Sequence, residues 1–403
     1  MSADARALPA PLELRLPAAW ATALAAFAVS RLVVLASGAG AHLAFGDQPR
    51  SQPLDPGALT RPFGGPADAL VAPFAAWDSV WYLVIANDAY AGEGPREAFF
   101  PLFPLLLKGL ALVVGSPLLA GVLLSSACAV AGLAAVHRLA VLELGERAAR
   151  PAVWALALCP VAFFLSAVYS EGLFLAVSAW ALVAARTDRF ALAGTLGALA
   201  AATRSAGVVL LVPLLLLWWA SARRPRDLAW VALVPAGLVA FCAGLWLAGE
   251  PPLAPFAAQE AWYRSFAGPF AGVWTGAVAA AEGAGHLLDP AANPRFDAAA
   301  RANVALLGAL LLVLWALLGA WRRLPRHHAA YATAALALPL SWPVPPQPLM
   351  SLPRFALVLV PLWLFAGLWL ADGGPARRTA WFAASGGGLV ACTGLFATWH
   401  WVA

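Results

Sequence analysis

The sequence predicts an all-α polytopic membrane protein, a bundle of about 10–12 transmembrane helices. Three observations carry that expectation. The chain is 62% apolar and 11% charged, with a mean hydropathy of +0.79, far from soluble globular composition. Runs of about 18 or more apolar residues recur along nearly its whole length. Those runs are continuous rather than alternating, which argues against a membrane β-barrel.

Residues 19–44 form the first expected span, too long for a cleavable signal peptide and without its small-residue exit, after a cytoplasmic segment 1–18. Residues 45–104 follow as the first outer loop, irregular over the proline- and glycine-rich stretch 49–73. Within it, 79–91 reads as a short amphipathic helix at the membrane interface, with Trp81, Tyr82 and Tyr90 at headgroup level. Stretch 105–141 is taken as one long or bent span, with a break signal at Gly115-Ser116-Pro117. Further spans are expected at 151–168, 171–186, 190–203, 205–220 and 228–248. A second large outer loop, 249–301, precedes spans at 302–321, 329–343, 353–371 and 380–401. With no repeat of 20–50 residues, residues 1–403 read as a single membrane domain.

Charge sets the expected orientation. Arg147/Arg150, Arg186/Arg189, Arg223/Arg224/Arg226, Arg322/Arg323/Arg326 and Arg377/Arg378 mark short basic loops, which the positive-inside rule assigns to the cytoplasm. The basic excess therefore reports loop orientation, and nucleic acid is given no weight as a partner. Cys128, Cys159, Cys242 and Cys392 lie in apolar runs without metal-type spacing. His286, His327 and His328 likewise show no ligand spacing, and all three are read as bland.

A few polar residues need explaining in so apolar a chain. Asp78 stands between Trp77 and Ser79-Val80-Trp81-Tyr82, at the end of the first outer loop. A solvated loop acid or a helix N-cap is the plain alternative. The flanking aromatics favour a partly dry carboxylate, which is a better proton acceptor. Tyr169-Ser170-Glu171 sits between two apolar helices with almost no loop, where Glu171 either caps the next helix or faces a polar cavity. Arg204 interrupts a long apolar stretch at Thr203-Arg204-Ser205. An intramembrane arginine costs about 2.5–3.5 kcal/mol on insertion scales, so it needs an acid or an anionic ligand. Arg354, in Ser351-Leu352-Pro353-Arg354-Phe355, opens a helix after a proline-rich turn, with snorkelling to headgroups as its plain reading. These features and the second long loop all fall on one expected face of the membrane.

With those residues in hand, the chain resembles the PIG-V mannosyltransferase family of GPI-anchor assembly and its bacterial relatives. The resemblance rests on Trp77-Asp78-Ser79-x-Trp81-Tyr82, Ile85-Ala86, Tyr90, Phe99-Phe100-Pro101-Leu102-Phe103-Pro104, Pro160, Tyr169-Ser170-Glu171, Thr203-Arg204-Ser205 and Ser351-Leu352-Pro353-Arg354. At Asp88-Ala89 the chain departs from it, because the resemblance leads one to expect a glycine before Tyr90.

The resemblance implies a GT-C-type transferase that takes mannose from a polyprenyl-phosphate donor on the extracytoplasmic side and inverts the anomeric carbon. The alanine- and arginine-rich composition points to a bacterial plasma membrane. A glycolipid, glycan or protein would be the acceptor. In this picture Asp78 is the catalytic base. Trp77, Trp81, Tyr82, Tyr169, Glu171, Arg204 and Arg354 bind substrate. No cofactor or metal is expected, in keeping with the lack of a Rossmann glycine fingerprint or a D-x-D motif. A transporter or flippase of a lipid-linked sugar is the competing class; it would be expected to carry internal symmetry, and none is visible.

Overall fold

The computed structural model describes residues 16–91 and 95–402, so most of the expected N-terminal segment 1–18 lies outside the described residues. The all-α expectation holds, with no strand among the described residues. Lipid offers the backbone no partner, and a helix satisfies its own amides and carbonyls.

The chain opens with α1 (Leu16–Phe45), then α2 (Gly65–Val71) and α3 (Asp78–Asp88), the last two separated by a single 3-10 turn. It continues with α4 (Leu102–Val114), α5 (Pro117–Leu144), α6 (Glu146–Ala157), α7 (Glu171–Arg186) and α8 (Phe190–Thr203). Next come α9 (Leu211–Ala220), α10 (Pro225–Val231), α11 (Ala236–Leu247) and α12 (Ala271–Leu288). The last are α13 (Asp297–Arg323), α14 (Arg326–Leu340), α15 (Leu352–Leu357), α16 (Val360–Ala371) and α17 (Pro375–Ala397).

By length and apolarity, four described helices (α1, α5, α13 with its leading turn, and α17) can cross a membrane. The number rises to six if the bent pairs α2/α3 and α10/α11 each count as one span. The expectation of about 10–12 crossings reached further because it counted shorter apolar helices, such as α8, α9 and α16, as spans.

Several expected boundaries change. Stretch 105–141 is not one span but a hairpin. Gly115 takes the left-handed conformation (φ 78°), Ser116 Oγ accepts from the Leu119 amide, and Pro117 starts α5. The chain thereby folds α4 back along α5, so that the Leu107 side chain abuts Gly121.

Expected span 151–168 is the end of α6 followed by a buried 3-10 turn, Ala162–Leu165. The irregular stretch 49–73 holds helical turns instead, Ser51–Leu54 and α2. The interfacial helix of 79–91 is α3, and it is packed inside: Ser79, Val80, Tyr82, Leu83, Ile85 and Ala86 are all buried. The second outer loop contains α12, which packs against α13.

One large apolar cluster joins α1, α3 and α5 to α9, with α13 to α17 around them. Helix α7 is its axis, buried along nearly its whole length and packed on α5 and α8. Glu171 opens α7 and Arg186 closes it, about 22 Å apart at 1.5 Å per residue. At the Arg186 end the basic loops are tied together. Arg186 pairs with Glu143 at 3.0 Å, while Arg147 and Arg323 both pair with Asp372, at 3.0 and 2.8 Å. The Glu171 end holds the remaining polar residues of interest.

Candidate active site

Asp78 is the first residue of α3. The preceding Trp77 has φ 56°, which breaks the chain direction sharply: the α2 segment and α3 meet at 100°. No side-chain cap bond forms at this helix start, so Asp78 is not acting as an N-cap. Its amide donates instead to the Tyr169 hydroxyl at 3.1 Å, and that hydroxyl donates to the Ala76 carbonyl at 3.2 Å. Burial pushes the Tyr169 phenol well above its ordinary range, which keeps it protonated and able to donate.

The Asp78 carboxylate accepts from Arg354 Nη1 at 2.5 Å. Arg354 sits in α15, after Ser351 with φ 68°, and its Nε lies 3.5 Å from Glu171 Oε1. The same Glu171 oxygen accepts from Arg204 Nη1. Glu171 starts α7 without capping it and is 1% exposed. Arg204 follows α8 in extended backbone (φ −158°, ψ 148°), which ends the helix and turns its side chain toward Glu171. Asp78, Arg354, Glu171 and Arg204 therefore form one continuous chain of ion pairs.

The aromatic residues divide into wall and surface. Tyr82 is buried; its hydroxyl donates to Ser170 Oγ at 2.9 Å, and its ring packs edge-on against Phe99 and Phe103. Its place is in the wall. Trp81 stacks on Phe99 with 6.1 Å between centroids, and Trp262 from the second loop meets the same ring in an edge contact at 5.7 Å. Trp77 lies against Trp399 and Trp401, and its indole donates to the His400 carbonyl at 3.3 Å. Ser125 of α5 fixes the Tyr169 step by donating to its carbonyl at 3.1 Å.

All eight residues singled out in the sequence therefore lie at this end of the fold, in direct contact or one neighbour apart. Two elements were missed. Arg264, in the second outer loop, places its guanidinium 5.5 Å from the centre of the Phe355 ring. Burial, and then the like charges of Arg354 and Arg204, lower its pKa to about 10. The signal available was an arginine amid aromatics, Trp262-Tyr263-Arg264-Ser265-Phe266. The Trp399-His400-Trp401 triplet was also passed over, as the end of an apolar span.

A groove of about 690 Å³ opens beside the site. Its lining includes Tyr90, Pro101 and Ala202, with Gly237, Ala240 and Gly244 of α11. Its lining is mostly apolar, small residues between Tyr90, Phe241 and Leu245, with one carboxylate, Glu250. A group with metal-ligand geometry lies at the opposite end, Glu143 with His327 and His328, two histidines first read as bland. There the Glu143 oxygen that faces both histidines already accepts from Arg186.

Residues 66–217 match the family described as Mannosyltransferase (PIG-V). Over 153 residues the chain is 35% identical to GPI alpha-1,6-mannosyltransferase 2 of Rattus norvegicus, covering 35% of this chain and 31% of that protein. The chain thus spans less than a third of the length of the curated relative it matches. No solved structure matches it. Asp78, Glu171 and Arg204 all fall within residues 66–217, the stretch that is similar to the PIG-V mannosyltransferase family.

Proposed function

We propose that the protein is a membrane-embedded mannosyltransferase that moves mannose from polyprenyl-phosphate mannose to an extracytoplasmic glycolipid, glycan or protein. The single observation that carries the reading is the ion-pair chain from Asp78 through Arg354 and Glu171 to Arg204, set in an aromatic pocket. The family match supports mannose and transfer. The apolar groove supports a lipid-borne donor, because its small lining residues suit a prenyl tail and Ala202 brings it close to Arg204.

In this mechanism Asp78 accepts the proton of an acceptor hydroxyl. The freed oxygen attacks the anomeric carbon from the face opposite the phosphate. The bond from that carbon to the phosphate oxygen breaks, its electron pair leaves with the lipid phosphate, and the configuration inverts. Arg354 holds the Asp78 carboxylate in place while Arg204 and Arg354 face the charge that grows on the leaving group. Glu171 anchors both arginines through one oxygen. Its other oxygen, Oε2, is buried without a hydrogen-bond partner among the described residues, an unspent acceptor beside both arginines.

The test is a transfer assay with purified protein, labelled polyprenyl-phosphate mannose and a panel of acceptors, read by product mass. Asp78→Asn should lower turnover by about 10²–10⁴-fold, the usual worth of a general base, while donor binding persists. Translocation of the lipid across vesicles without a covalent product would replace the transferase with a transporter.

A further inference from the structure

Three guanidinium groups surround one aromatic ring at the site. The central carbons of Arg204, Arg264 and Arg354 lie 5.4, 5.5 and 5.6 Å from the centre of Phe355. Two of them are engaged by acids. Arg354 pairs with Asp78 and Glu171, and Arg204 pairs with Glu171. Arg264 has no carboxylate within ion-pair distance among the described residues. Its only hydrogen bonds are long ones to backbone carbonyls, from Nη1 to Trp342 at 3.4 Å and from Nη2 to Met350 at 3.5 Å. Three cations against two carboxylates leave one positive charge uncompensated at a half-buried place. Like charges this close repel, and a partly dry cation costs more than a solvated one. An anion would remove both penalties.

Resting on the donor reading above, we infer that Arg264 is the residue that grips the donor phosphate. The geometry reassigns the task from the two arginines that stand out in the sequence. Both already pair with acids, Arg354 with Asp78 and Glu171 and Arg204 with Glu171, so they act mainly by holding those carboxylates, with their charge still felt by the leaving group. Arg264 offers a fork that no carboxylate engages and that is held only by long bonds to backbone carbonyls; such a fork can turn to phosphate and bind it through two parallel hydrogen bonds. The charge balance agrees with the donor reading. A sugar phosphodiester carries one negative charge and neutralises the site. A lipid diphosphate or a nucleotide diphosphate carries two and leaves an excess anion beside Asp78.

The experiment measures binding of geranyl-phosphate mannose to the full-length protein in nanodiscs, with geranyl-diphosphate mannose and GDP-mannose as competitors. Arg264→Gln should weaken binding about 10- to 100-fold, the range expected for losing a charge-assisted bond. Arg264→Lys should recover part of it, since charge returns without the fork. Arg301→Gln, exposed on α13, should change nothing. Equal affinity of wild type and Arg264→Gln overturns the inference, as does no binding by the wild type or a preference for the diphosphates. The transfer assay separates this from the broader reading. Binding that depends on Arg264 without any transfer removes the transferase and leaves the phosphate site standing. Transfer with an unchanged donor KM in Arg264→Gln does the reverse.

Discussion

Trp77, Ala89 and Ser351 hold left-handed backbone conformations, with φ of 56°, 54° and 68°. A side chain resists such geometry, at about 1–3 kcal/mol per residue. For Trp77 and Ser351 the strain has a use, because each turns the chain just before a residue of the ion-pair chain, Asp78 and Arg354. Ala89 has no such neighbour; it ends α3 at ψ −142°, a region that suits glycine. The sequence already marked this position, where the family resemblance leads one to expect glycine before Tyr90. Ala89→Gly should therefore stabilise the protein by about 1 kcal/mol, the relieved strain outweighing the added chain entropy. A thermal unfolding midpoint that falls in this variant contradicts the strain argument. The acids and arginines of the site were legible for a simple physical reason: a charge in a hydrocarbon-like chain is costly, so each one stands out. Arg264 did not stand out because it lies in a loop, where charge is ordinary.

Helix α7 reaches its position through glycine. A Cβ on Gly172 would sit 2.7 Å from the Ser125 carbonyl oxygen and 2.8 Å from that of Leu165. Only a residue without a side chain lets the start of α7 lie this close to α5, and the adjacent Glu171 depends on it. Gly172→Ala should destabilise by about 1–3 kcal/mol through overpacking and displace Glu171 from Arg354. Activity should then drop more than folded yield, as a side-by-side measurement of transfer rate and unfolding midpoint will reveal. Undisturbed transfer would mean the packing at Ser125 does not position the carboxylate. At this scale the sequence was only partly readable. Hydropathy treats a helix buried in protein and a helix facing lipid alike, and α7 is buried almost throughout. The same blindness made 105–141 a single span and turned the buried turn at Phe163 and Phe164 into membrane helix. The break at Gly115-Ser116-Pro117 was visible, but its sense, a fold back rather than a bend, comes from the Leu107–Gly121 contact.

The molecule as a whole has two chemically distinct ends, joined by α5, α7 and α13. One carries Arg147, Arg186, Arg323 and their acids; the other carries Asp78, Glu171, Arg204 and Arg354. If positive-inside sorting governs, the first faces the cytoplasm. Helix α13 offers a direct check, because Asn293 just before it and Arg322 near its close are both exposed and about 40 Å apart along the axis. In a cysteine-free background, Asn293→Cys should react with an impermeant maleimide in intact cells. Arg322→Cys should react only after permeabilisation, and the opposite pattern reverses the orientation. The two-ended charge pattern was legible in the sequence because short loops keep their arginines together; the closing of Trp399 and Trp401 over Trp77 was not, since aromatic residues at a span end look like ordinary anchors. Asp78 and its partner Arg354 lie 276 positions apart in the chain. If Asp78 is the base of the proposed mechanism, a growing polypeptide stays inert through most of its synthesis, that carboxylate unaimed until Arg354 has been made. On that mechanism, fragments that stop short of that point should be chemically silent however well their helices insert.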